Sequence, residues 1–574
     1  MSAPRVLSIS LLAGITVLCF VVPPFARAGD ENVVYDLVIR NARLYDGSGG
    51  APVRGDIAIN ADTLAAVGTL DHVAAKREID AHGLAAAPGF INMLSHAEES
   101  LIADGKSQSD IRQGVTLEVF GEFSMGPLTD TLKKEAVEQE GDIKYPIAWT
   151  TLGEYLDFLT KRGISTNVAS FVGAGTVRAN VLHFARRAPT PAELESMKQL
   201  VRRAMEQGAL GLTCMLLYVP DVYMSTRELI ELAKVASGYG GVFTSHIRSE
   251  GKNLLSAVDE MIKISREANI PVEIYHLKAS GRDSWQLEDT LLRKIDAVRE
   301  QGVEITADMY TYTAAATGLD GSMPPWVQEG GYKDWASRLR DPAVRARLDK
   351  EMSTPSDEWE SYYLEAGSAD AVLLVGFKNE RLKFLTGKTL AEVSRIRGTS
   401  PVETMMDLVI EDSSRVGTIY FLMSEENVRK QIRKPWVSFG SDEGSLAPEG
   451  VFLKSNPHPR AYGNFARLLG TYVRDERVIS LEEAVRRLTS LPATNLRLSK
   501  RGRLAPGYYA DIVLFDPAVI ADHATYEKPH QYSTGVVDVF VNGVQVLRDG
   551  EHTGATPGRV VRGPGWKFAR GQKE

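Results

Sequence analysis

Cysteine is almost absent from this chain. Its 574 residues include two, Cys19 and Cys214. Cys19 lies inside an N-terminal leader, so the processed chain keeps one thiol and has no intrachain disulfide. A protein of this size builds a core large enough to do without one. Long apolar runs are scarce too. Val6–Val22 alone approaches the length of a membrane span. Arg5 precedes it, Pro23-Pro24 break it, and Ala26-Arg27-Ala28 follows as a small-x-small cleavage site. That is the pattern of a secretory signal cut before Gly29. Leu18 is bulky where a lipoprotein site carries a small residue. The expected location is periplasmic or secreted, with no membrane attachment after cleavage. Positive charge is in deficit: 66 Lys and Arg stand against 74 Asp and Glu, a net charge of -8. No basic stripe stands out, which argues against a nucleic-acid partner. There is no internal repeat and no low-complexity tract, so a solenoid is excluded. Nothing in the sequence bears on oligomeric state.

What remains is ordinary globular composition, 44% hydrophobic and 24% charged. The two ends of the chain share a β texture. Near the N-terminus, Tyr35–Arg40, Asp56–Asn60 and Thr63–Val67 are short strand-like runs separated by Gly and Asp turns. Near the C-terminus come Ala510–Phe515, Val536–Asn542 and Val544–Leu547, with Asn542-Gly543 as a hairpin turn. The two ends are expected to form one small β-sandwich with the middle inserted between them. The middle alternates strand candidates (Val115–Phe120, Val168–Val172, Leu210–Cys214, Val242–His246, Val272–Leu277, Ile305–Met309, Trp436–Gly440) with amphipathic stretches such as Pro191–Gln207 and Ser225–Ser237. That order predicts an α/β fold, a TIM-like (β/α)8 barrel. The expected division is a signal over 1–28, sandwich over 29–87, and barrel over 88–497 with an insertion at about 318–395. The second sandwich part and a tail follow over 498–574.

The most informative residues are His246 and His276. Each ends a short apolar run, and they are 30 residues apart. A strand–helix–strand unit of that length sets two parallel strands side by side, so both imidazoles reach one mouth of the barrel. Two unrelated strand-end histidines would give the same spacing. Imidazole is the commonest metal ligand. Val115–Phe120 runs into Gly121-Glu122, which makes Glu122 a third candidate ligand. Val437–Ser441 runs into Asp442, which could take a proton from an attacking water and return it to a leaving amine. A strand-end carboxylate is also an ordinary solvated loop residue or helix N-cap. Cations keep step with the same strand ends: Arg248, Lys278 and Arg460. Several cations beside a metal point to an anionic substrate, most simply a carboxylate. Tyr218 could donate to a developing oxyanion.

The pattern resembles the amidohydrolase superfamily, and within it the N-acyl-D-amino-acid deacylases, or D-aminoacylases. The matching residues are Pro88-Gly-Phe-Ile91, Arg112-Gln-Gly-Val-Thr116, Gly121-Glu122 with Ser124-Met-Gly-Pro127, and Gly241-Val-Phe-Thr-Ser-His246-Ile-Arg-Ser-Glu250. Tyr275-His-Leu-Lys278, Gly440-Ser-Asp442, His458-Pro-Arg-Ala-Tyr-Gly463, Thr489-Ser-Leu-Pro-Ala493, Arg501-Gly502 and Gly507-Tyr-Tyr-Ala-Asp511 continue the series. The resemblance covers about residues 34–550. It implies one tightly bound zinc on Glu122, His246 and His276, with Asp442 as the catalytic acid–base group and Tyr218 in the catalytic pocket. It further implies that Lys278, Arg460 and Tyr310 grip the carboxylate of a small N-acyl-D-amino acid.

Two departures from the family pattern stand out. The usual His-x-His after the first barrel strand is here Leu94-Ser-His96. That argues against a second tight metal and leaves His96 as a ligand, a water contact or a polar wall residue. A serine that helps hold the carboxylate in the family falls near Ala316 or Thr317. Two other readings stand beside the deacylase: another amidohydrolase reaction, such as a dipeptidase or cyclic-imide hydrolase, and a non-catalytic binding protein built on the barrel.

Overall fold

The computed structural model describes residues 34–566. The expected signal over 1–28 lies outside the described residues. Eight parallel strands form the centre: β1 (Phe90–Ser95), β2 (Val115–Phe120), β3 (Asn167–Ser170, resuming as Val172–Gly173), β4 (Gly211–Met215), β5 (Val242–His246), β6 (Val272–Ile274), β7 (Ile305–Met309) and β8 (Val437–Phe439). Each pairs in parallel with the next. The ring closes at its C-terminal rim. Asp442 N donates to Leu94 O at 2.9 Å, and His96 N donates to Glu443 O at 2.9 Å. Gly440 permits this approach, because a Cβ there would lie 2.8 Å from Leu94 N. The strands are buried almost throughout, as expected when side chains fill the barrel on one side and helices cover the other.

The covering helices follow from local sequence. Pro191–Glu206 starts with Pro191 at its first turn and a reciprocal Thr190–Glu193 capping box. Leu254–Ala268 buries Leu254, Val258, Met261, Ser265 and Ala268, one stripe at helical spacing, against the strands it links.

Strands from Leu37–Pro88 and from Ile512–His552 meet in one nine-stranded sheet. The junction pairs Ala85–Pro88 antiparallel with Ile512–Phe515, Ala86 opposite Leu514. One face of the sheet buries Ile39, Ile57, Ile59, Ile512 and Phe540. On the other, Val38 and Ala58 pack with Tyr35 and Leu70. The Asn542-Gly543 hairpin forms with φ of 49° and 79°, the left-handed pair that a two-residue turn needs. Between β7 and β8 a four-stranded antiparallel sheet is inserted, built from Ala314–Gly318, Gly417–Phe421, Val372–Gly376 and Lys388–Thr389. Two of its strands, Val372–Gly376 and Lys388–Thr389, lie inside the 318–395 stretch, and Ala314–Gly318 and Gly417–Phe421 flank it. Several of its residues reach the barrel mouth.

Candidate metal centre

Glu122, His246 and His276 converge at the mouth, and all three are buried. His276 Nε2 lies 2.7 Å from Glu122 Oε1 and 2.9 Å from His246 Nδ1. His246 Nδ1 lies 3.4 Å from the same Glu122 oxygen. Three lone-pair atoms this close form a cradle for a cation. Zinc bonds of about 2.0–2.1 Å in a tetrahedron set ligand atoms roughly 3.3 Å apart, which the 3.4 Å pair matches and the 2.7 and 2.9 Å pairs would reach by opening slightly, so the donor set fits zinc in chemistry. Burial alone would raise the Glu122 carboxyl, but hydrogen bonds from His246, His276 and His96 hold it well below the usual range. Burial and Lys278 lower His276, yet Asp442, Glu250 and Glu122 outweigh them and push it up to about 9.

Glu250 orients this cluster. Its Oε1 lies 3.0 Å from His276 Nδ1, so the far side of the ring faces a carboxylate and Nε2 is left for a metal. Lys278 Nζ donates to the same oxygen at 2.5 Å and lies 2.7 Å from His276 Nδ1. Tyr362 OH donates to Glu250 Oε2 at 3.1 Å and lies 3.4 Å from His246 Nε2. Neither Glu250 nor Tyr362 was singled out from the sequence as a site residue. Glu250 sits in a loop, Tyr362 lies in the insertion, and only the fold brings them to the histidines.

Asp442 stands beside the cluster. Burial would raise its carboxyl, but Arg460, His276 and His96 hold it low. Its Oδ1 lies 3.1 Å from His96 Nε2. Its Oδ2 lies 2.8 Å from Arg460 Nη1, and Arg460 Nη2 donates to the Asp442 carbonyl at 2.6 Å. The guanidinium also sits over the Tyr310 ring, 4.4 Å from its centre. The Arg460 Nε–H is buried and has no protein acceptor. His96, Glu122 and Asp442 form a second group with converging donor atoms. That group borrows Glu122 from the first, and Arg460 already balances its aspartate. Leu94 is fully buried where a further histidine would stand.

Glu122, His276 and Asp442 all have positive φ, at 66°, 35° and 52°. Such backbone is unfavourable for residues with a Cβ by on the order of 1–3 kcal/mol each, and it clusters at functional sites. All three follow a barrel strand, where the chain must turn sharply to aim a side chain inward.

The cavity above the cluster holds about 420 Å³ and is lined by every candidate except Arg248. Tyr218 packs edge-on against His246 with ring centres 5.3 Å apart. Ala316 and Thr317 line the wall at the place where the family resemblance implies a serine. Thr317 Oγ1 accepts from Arg415 Nη2 at 3.0 Å. The expected substrate contact from Arg248 is corrected. Its Nε and Nη2 pair with Glu260 at 2.8 and 3.0 Å. Its Nη1 and Nη2 also hold the carbonyls of Val222 and Met224. The residue ties a loop to helix Leu254–Ala268 and faces away from the cavity.

Comparison with known proteins decides the family. A model described as the amidohydrolase family matches residues 77–547. The chain belongs to the amidohydrolase family. This amidohydrolase is 31% identical to a D-aminoacylase of Alcaligenes xylosoxydans xylosoxydans over 536 residues, 92% of this chain and 97% of the relative. It is 32% identical to an N-acyl-D-aspartate deacylase of the same organism, over 92% of this chain and 95% of the relative. The structure of N-acyl-D-glutamate deacylase from Bordetella bronchiseptica, complexed with zinc and a phosphonate mimic of the tetrahedral intermediate, superposes with a TM-score of 0.75. That protein is 29% identical, and the match covers 92% of this chain and all of that one.

Proposed function

We propose that this protein is a zinc-dependent hydrolase that cleaves N-acyl-D-amino acids to a carboxylate and a free D-amino acid. The observation that carries the reading is the Glu122–His246–His276 cradle with Asp442 beside it, in a cavity that also holds Lys278, Arg460 and Tyr310. The deacylase relatives support the same substrate class. Zinc, when bound, polarises the amide carbonyl and lowers the pKa of water towards about 7.

The chain's own residues supply the rest. Asp442, kept ionised by Arg460, takes the proton of the attacking water and passes it to the departing nitrogen. Tyr218, whose phenol burial keeps protonated, donates to the carbonyl oxygen as charge develops there. Arg460, the Lys278 ammonium and Tyr310, which line the cavity together, receive the substrate carboxylate. Glu250 fixes the ring of His276.

The test is turnover of N-acyl-D-, N-acyl-L- and cyclic-imide substrates by purified, metal-quantified protein. Release of free amino acid from the acyl-D compounds alone is the expected outcome. Hydrolysis of cyclic imides or N-acyl-L compounds in preference would overturn it. We further infer export to the periplasm or medium, supported by Arg5, the apolar run Val6–Val22 and Ala26-Arg27-Ala28. N-terminal sequencing of protein from its native host should begin at Gly29.

A further inference from the structure

A second cavity, of about 800 Å³, adjoins the metal pocket. Phe123, Met215, Tyr218, Arg415 and Gly417 line both, so the two meet along these residues, which form the neck between them. Beyond the neck the wall is mostly apolar, with Leu128, Leu132, Ala136, Ala179, Phe184 and Trp335 facing it. Charged residues such as Glu138 and Lys333, paired at 2.8 Å, stand among the apolar ones.

Position in the barrel says which end of a substrate enters. Lys278, Tyr310 and Arg460 follow β6, β7 and β8. Phe123 follows β2, Met215 ends β4, and Tyr218 lies three residues further on. The metal cradle takes Glu122 from after β2, His246 from the end of β5 and His276 from after β6, so it spans the two sides. The two substituents of an amide carbonyl diverge from its carbon. An amino acid gripped through its carboxylate on the β6–β8 side therefore sends its acyl group towards β2–β4, through the neck. An acetyl group would end in the neck and leave the large cavity without a function.

We propose that the second cavity is the acyl subsite, and that the preferred substrates are N-acyl-D-amino acids carrying a medium or long aliphatic acyl chain. This rests on the deacylase reading above. Burying each methylene favours binding by roughly fourfold, so preference should climb with chain length until the cavity is full.

The experiment compares kcat/KM for the acetyl, octanoyl and dodecanoyl derivatives of one D-amino acid. Octanoyl should exceed acetyl by at least about tenfold, a discounted share of the methylene increments. Ala136→Trp, on the half-buried helix Asp130–Gln139, should erase that advantage and leave acetyl turnover unchanged. Leu132→Trp is a second block from the same helix, and acetyl turnover is the folding control for both. An acetyl rate equal to or above the octanoyl rate overturns the acyl subsite and leaves the deacylase intact. So do wall variants that slow both substrates alike, or that reorder D-amino-acid side chains instead of acyl lengths. Failure to release a D-amino acid from any derivative overturns the deacylase reading, and the subsite falls with it.

Discussion

His276 Nε2 and Glu122 Oε1 lie 2.7 Å apart although 154 residues separate them in the chain. Joining the end of β2 to the end of β6 across the barrel mouth is what makes a metal cradle of two ordinary side chains.

Glu122→Ala and Asp442→Asn should fail in different ways. The first removes a ligand atom from the cradle, so the purified protein should lose its metal. The second keeps the cradle and should retain metal while kcat falls at least about 10²-fold, the scale of a positioned acid–base group. Elemental analysis beside steady-state kinetics reads both. An Asp442→Asn enzyme with most of its kcat would show that the proton passes elsewhere.

Metal content should be about one tightly held equivalent per chain. The second group of donors shares Glu122 and has Arg460 on its aspartate. Two equivalents resisting mild chelation would contradict this.

Arg460→Met should split the kinetic constants. Releasing Asp442 from its clamp should lower kcat for every substrate. Losing the carboxylate contact should raise KM for an acyl amino acid and spare the matching amide, which has no charge to grip. The extra loss on the acid is expected at about 2–5 kcal/mol for a desolvated charge pair. Equal losses on acid and amide would confine Arg460 to positioning Asp442.

Asp221 offers a pH test of stability away from the metal. Burial pushes its carboxyl from an ordinary value of 3.8 up to about 7, against hydrogen bonds from the amides of Met215 and Gly175. A raised carboxyl favours the folded state while it is neutral. The stability it contributes is full below about pH 4 and is lost as pH rises through about 7. Asp221→Asn should remove that fall, an effect of at most on the order of 4 kcal/mol. Denaturant midpoints of both proteins from pH 4 to 8 check it. Parallel curves would mean that Asp221 is ionised in the folded protein throughout.

Much of the site was legible because strand ends are legible. An apolar run stopping at His246, Glu122 or Asp442 announces both the element and the direction its last side chain faces. The helix expected between His246 and His276 is Leu254–Ala268. Arg248 misled for the same reason: it keeps step with His246 in sequence, but past the end of β5 the chain has turned and no alternation governs where it points. Glu250 was hidden in a loop, where nothing local marks a residue that will face two imidazoles. Tyr362 and Arg415 reach the mouth from the insertion, whose strands Ala314–Gly318 and Gly417–Phe421 pair across about a hundred residues. Ala-Ala-Ala-Thr-Gly carries too little strand signal to predict that partner.

The positive φ of Glu122, His276 and Asp442 sets heat resistance against chemistry. Glycine is the residue most at ease with such backbone. A library screened only for survival at high temperature would therefore enrich glycine at these three positions. Its winners would be sturdier proteins that had discarded a side chain of the cradle or the carboxylate beside it. Engineering this barrel for durability requires a selection that also demands turnover, because the residues easiest to improve upon for folding are the ones that define the enzyme.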